Sequence, residues 1–203
     1  FLDADDEWRP SKLERQVAKL RERSDDWVAA YCGYEEVPDG IWMRLRFGVS
    51  RMLGSSVEQR EGGEALIDEV LLGEFALGGS STLLARRSVV EAIDGFDESF
   101  PRHQDWEFLI RLLQRGKIAL VDEPLVVKEQ TYSVAPEELR TAKVLLFNKF
   151  HAEIGDLQRE GHDVVGRHSY DLSRVYIRHG RFRDGLEYLR RSTATDSVRV
   201  LPL

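Results

Sequence analysis

Four acids stand within five residues near the start of the chain, Asp3-Ala4-Asp5-Asp6-Glu7, behind an apolar pair, Phe1-Leu2, and ahead of Trp8. Carboxylates this closely spaced suit a hard cation. Mg²⁺ takes one or two of them and fills its remaining positions with substrate phosphates and water. Side chains two apart on a strand share a face. The pattern therefore predicts an apolar strand running out into Asp3 and Asp5, with both acids turned toward one ligand. Ligands in open α/β sheets sit at such strand ends. The same acids also suit a solvated turn before the helix that opens near Pro10, whose dipole favours carboxylates.

Asp105 is the second candidate. It follows His103-Gln104 where a loop enters a helix, and an ionised carboxylate there can take a proton as a general base. The alternative is an ordinary acid in a first helical turn. Gly78-Gly79-Ser80-Ser81 lets a ligand approach the backbone, but no Lys and no helix follow, so as a phosphate cradle it competes with a plain turn. Trp8 either covers the acidic cluster or packs, and Trp106 and Phe108 read as core. His151, His162, His168 and His179 lack metal-type spacing and read as surface. Cys32, the single cysteine, lies in the apolar run Trp27 to Tyr34 and reads as buried packing rather than a nucleophile.

These residues must be held by elements that the pattern also predicts. Helix starts at Pro10-Ser11, with Leu13, Val17 and Leu20 as its apolar face. Strand follows over Trp27 to Cys32, then a Pro38-Asp39-Gly40 turn, strand from Ile41 to Phe47, and a mobile polar loop over 49–64. Ala65 to Leu72 reads as helix, Thr82 to Ala85 as strand, and Arg86-Arg87 opens a helix to Ile93. Trp106 to Leu113 is an apolar helix. Lys117 to Val121 and Leu125 to Val127 read as two strands split by Asp122-Glu123-Pro124. Alternation of strand and helix marks an α/β fold.

Beyond about residue 134 the pattern turns wholly helical. Leu139, Ala142, Leu146, Phe150, Ile154 and Leu157 mark one long amphipathic helix. Helices over 168–179 and 181–192 follow, with Gly180 between them, like a single tetratricopeptide-type hairpin. The expected organisation is an α/β domain over 1–133 and a helical extension over 134–203 able to contact another protein. The net charge of -7 excludes the basic face of a general nucleic-acid binder. One cysteine fits a reducing compartment, and no apolar stretch approaches the roughly 20 residues that span a bilayer.

The order of the pieces resembles family 2 glycosyltransferases, which have the Rossmann-like GT-A fold. Phe1-Leu2-Asp3-Ala4-Asp5-Asp6, with Pro10 and Lys12-Leu13 after it, is similar to that family's central Asp-x-Asp motif. Gly79-Ser80-Ser81-Thr82-Leu83-Leu84-Ala85-Arg86-Arg87, Gly95-Phe96-Asp97-Glu98, Gln104-Asp105-Trp106 with Arg111, and Glu123-Pro124-Leu125 follow in the family's order. The resemblance covers residues 1 to about 133. It implies the C-terminal half of a nucleotide-diphospho-sugar transferase domain followed by an α-helical tail, the chain starting inside the domain and expected to be inactive or impaired by itself.

The roles that the resemblance implies are specific. Asp3 contacts the ribose or diphosphate side of the donor, beside Gly79 and Ser80. Asp5 ligates Mg²⁺ or Mn²⁺. Asp105 deprotonates the acceptor hydroxyl, and transfer inverts the anomeric centre. Implied partners are a nucleotide-diphospho-sugar and a glycan or lipid-linked acceptor, with the protein in the cytoplasm, peripheral at the inner face of the membrane. Gln104 departs from the Glu often found in the family. Two rival readings remain: a non-catalytic, partner-binding piece of a transferase, and a haloacid dehalogenase-type phosphatase with Asp3 as nucleophile and Asp5 as acid. Glu7 stands where that phosphatase would have Thr or Val.

Overall fold

The computed structural model describes residues 1–37, 60–129 and 134–193. The expected Pro38-Asp39-Gly40 turn, the strand from Ile41 to Phe47 and most of the polar stretch 49–64 lie outside the described residues. The chain divides into two compact units: Phe1–Leu66, Phe75–Gly95 and Leu109–Tyr132 form one, and Ile67–Glu74, Phe96–Phe108 and Ser133–Leu203 the other. Among the described residues no helix is long and apolar enough to cross a membrane.

The first unit is mixed α/β. Among the described residues its strands are β1 (Asp6–Trp8), β2 (Trp27–Val37), β3 (Leu83–Ala85) and β4 (Lys117–Glu129), in the order β1-β4-β2-β3. The central pair β2 and β4 is parallel, while β1 and β3 add antiparallel edges. Central parallel strands are covered on both faces and read as unbroken apolar runs; Val28 to Gly33 are accordingly buried in succession. The expected break over Asp122-Glu123-Pro124 does not end a strand. The register slips instead between Cys32 and Tyr34, where Gly33 pairs with Pro124. Proline enters a sheet at such irregularities because it brings no N–H to the ladder.

Helix α1 (Lys12–Arg21) overturns the predicted apolar face. Leu13 and Val17 are exposed, whereas Lys12 and Gln16 are fully buried. Gln16 Nε2 donates to the carbonyls of Ala30 and Thr82 at 2.9 and 2.8 Å, and its Oε1 accepts from Lys12 Nζ at 2.8 Å. Apolar spacing marked a helix but not which side faces inward. A buried amide that joins β2 to the segment before β3 outranks two leucine-like side chains, since unsatisfied buried carbonyls are costly.

The second unit is helical. Helices α2 (Ala65–Leu71) and α4 (Gln104–Leu113) each cross from one unit into the other along the chain, and α3 (Arg87–Ala92) belongs to the first. The predicted long helix is two, α5 (Pro136–Lys149) and α6 (His151–Arg159), broken at Phe150 (φ −110°, ψ 35°). Helices α7 (Val164–Arg178) and α8 (Phe182–Thr193) pack as a pair, with Gly180 at φ 74° between them. Tyr176 and Tyr188 stack across it at 5.3 Å.

His168 corrects the surface reading. It is buried, and its Nδ1 accepts from the equally buried Lys143 Nζ at 2.8 Å while its Nε2 donates to Leu71 O at 2.7 Å. Phe147 and Trp106 pack edge-on against its ring. The other tail histidines, His151, His162 and His179, are exposed.

Candidate active site

The acidic segment is a turn rather than a strand end. Asp6 N–H donates to Asp3 O at 3.2 Å, and β1 begins only at Asp6. Asp3 and Asp5 are therefore neighbours in one exposed turn, not alternate residues on one strand face. Asp6 parts from them: its side chain is only 2% exposed and lies opposite Lys128 of β4.

Asp3 is tied to the Gly78–Ser81 segment from both its backbone and its side chain. Its N–H donates to Ser81 Oγ at 2.9 Å, and Ser80 Oγ donates to its Oδ1 at 3.0 Å. The indole of Trp8 donates to Ser81 O at 2.9 Å while its ring packs on Cys32, Val121, Leu125 and Val126. Trp8 thus both packs and braces the turn. Thr82 Oγ1 lies 2.9 Å from the carbonyls of both Leu77 and Gly79 and stiffens the segment from within.

Gly79 is required for two reasons. Its φ of 105° is one that side chains rarely tolerate. A Cβ there would also stand 2.5 Å from Lys128 Nζ. Lys128 Nζ donates to Gly78 O at 2.6 Å, lies 3.5 Å from Asp6 Oδ2, and sits 5.9 Å from the centre of the Tyr34 ring. Sequence reasoning missed Lys128. Its only signal was a lone lysine closing the apolar run Leu125-Val126-Val127.

Asp105 belongs to the second unit and is half-buried in the first turn of α4. The turn is set by His103, whose carbonyl accepts from Glu107 N–H at 3.0 Å. His103 adopts φ 59° and lays its ring against Trp106 at 4.6 Å. Burial, then Lys143 and Arg102, push its imidazole down to about 3, so the residue beside the candidate base is neutral at physiological pH. Glu107, fully buried, pairs with Lys149 Nζ at 2.7 Å, and Asp97 of the Gly-Phe-Asp-Glu turn binds the same ammonium at 2.6 Å. Burial pulls Lys149 down, but its bonds to Asp97 and Glu107 raise it overall.

Cys32 is buried, as expected, and burial raises its thiol, which removes it from nucleophilic chemistry. Among the described residues no group of three or more His, Cys, Asp or Glu side chains is placed to hold a metal. The exposed carboxylates of Asp3 and Asp5 in one turn fit a hard cation that draws its other ligands from phosphate and water. They do not fit a cation held by protein alone.

No family model matches the chain. Over 129 residues, 62% of the chain, it is 30% identical to the amylovoran biosynthesis glycosyltransferase AmsB of Erwinia amylovora. The aligned stretch is 39% of that protein, so the chain spans about two fifths of its relative's length. The similarity supports a glycosyltransferase relationship.

Proposed function

We propose that this chain is part of an inverting, metal-dependent glycosyltransferase of family 2 with a GT-A fold, acting on a polysaccharide or lipid-linked glycan. The observation that carries this reading is the double tie between Asp3 and Ser80-Ser81. It brings together residues 77 and 78 positions apart, drawn from two of the motifs that resemble the family. The similarity to a glycosyltransferase supports it independently.

In this reading Asp3, Gly79 and Ser80 hold the donor, and Asp5 would hold Mg²⁺ or Mn²⁺. When bound, that cation neutralises charge growing on the departing nucleoside diphosphate. Asp105 accepts the proton of the acceptor hydroxyl. The acceptor oxygen bonds to the anomeric carbon as the bond from that carbon to the diphosphate oxygen breaks on the opposite face, and configuration inverts. The helices after residue 133 support the unit that carries Asp105 and offer a surface to a protein partner. The protein acts from the cytoplasmic side, peripheral to the membrane.

The test is transfer of radiolabelled sugar from nucleotide-diphospho-sugars to membrane glycan extracts by the complete protein that contains this chain, with Mn²⁺ and with a chelator. Chelator-sensitive transfer with inverted linkage is the expected result. Absence of any nucleotide-sugar binding, or covalent phosphorylation of Asp3 by a phosphate ester, would overturn the reading.

A further inference from the structure

We propose that Lys128 and Asp3 form the two walls of a notch at Gly79 that recognises a sugar hydroxyl of the donor, with Lys128 donating to the hydroxyl oxygen and Asp3 accepting its proton. This rests on the transferase reading and names a group within it that the motifs do not contain. A methyl group at Gly79 would lie 2.5 Å from Lys128 Nζ and 3.9 Å from Asp3 Oδ2. Without a side chain on Gly79, the Lys128 ammonium packs directly against it and the Asp3 carboxylate stands on the same side.

Lys128 is built in rather than solvated. Its side chain is only 20% exposed. One N–H goes to Gly78 O, and Asp6 Oδ2, buried and without a hydrogen-bond partner, faces the ammonium at 3.5 Å. An ammonium has three donors, and among the described residues no further acceptor engages it. An anion placed here would meet the carboxylates of both Asp3 and Asp6. A neutral hydroxyl can accept from one wall and donate to the other, and both hydrogen bonds are strengthened by charge. The hydroxyl comes from the ribose or from the transferred sugar.

The experiment is calorimetric titration with the common nucleoside diphosphates, with their 2′-deoxy and 3′-deoxy forms, and with nucleotide sugars lacking single sugar hydroxyls. The wild-type protein should prefer one hydroxylated ligand over its deoxy form by roughly tenfold or more, the size of one hydrogen bond to a charged group. Lys128→Met should bind that pair alike, and Lys128→Arg should keep part of the preference. Lys128→Gln, which retains a donor for Gly78 O, serves if the methionine variant loses its circular dichroism spectrum. Loss of preference in the ribose series assigns the hydroxyl to ribose, and in the sugar series to the transferred sugar. If the neutral variants weaken every ligand equally, or none, the notch is not a hydroxyl site, while the transferase reading stands. If the wild-type protein binds no nucleotide or nucleotide sugar, both fall.

Discussion

Asp105 and Asp5 are the residues whose chemistry can be separated by substitution. Asp105→Asn keeps the shape of a first-turn residue and removes the carboxylate proposed as the base. Transfer should fall by roughly 10²–10⁴-fold, the usual worth of general base catalysis, with donor affinity unchanged by calorimetry. Unchanged turnover would remove Asp105 from the mechanism. Asp5→Ala should instead shift the metal dependence: activity in a Mn²⁺ titration should need far more metal or vanish. The types of these residues and their order along the chain were readable without coordinates. Their local setting was not. Asp3 and Asp5 lie in a turn because Asp6 N–H closes onto Asp3 O, and Asp6 turns inward because β1 pairs it with Lys128.

At the scale of elements, α1 and α5 are held by polar groups that hydropathy does not reveal. Gln16→Leu in α1 removes the bonds to Ala30 O, Thr82 O and Lys12. It should cost roughly 3 kcal/mol, read as a lower urea midpoint at unchanged slope, although leucine is the better match to the helix's apolar spacing. Lys149 at the end of α5 neutralises Glu107, which is fully buried in α4, and also binds Asp97. Lys149→Met should cost roughly 3 kcal/mol or more because a buried carboxylate loses the ammonium that faces it at 2.7 Å. Lys149→Arg should recover much of it in the same denaturation experiment. Helix positions followed from 3.6-residue spacing and caps. The split at Phe150 and the continuity of β4 through Pro124 did not, because both depend on neighbouring elements.

For the molecule as a whole, two buried histidines of the helical unit contribute to acid sensitivity. His168 is pushed down to about 3, by burial first and Lys143 next, and His103 is pushed down to about 3 in the same unit. Unfolded histidine titrates near 6.5. Between these values the unfolded chain binds protons that the folded one does not. Their contribution is thus complete above about pH 7 and is lost as pH drops toward 3, by about 1.4 kcal/mol per pH unit for each histidine. Urea unfolding at stepped pH should show that slope. His168→Gln, whose amide can still donate to Leu71 O, should make it shallower. A slope identical in the variant would mean that His168 is protonated in the folded state.

What the sequence by itself determined were the residue types able to do chemistry, the α/β-then-helical progression, and the order of motifs pointing to sugar transfer. Local spacing is enough for these because periodicity and motif chemistry are properties of neighbouring residues. Only the tertiary structure decided which side of α1 faces inward, that His168 is core, that Asp3 is bound through Ser80 and Ser81, and that Lys128 stands behind Gly79. Each of these depends on a hydrogen bond or ion pair between residues 14 or more positions apart. Such pairings arise from strand register and helix packing, which no local pattern encodes.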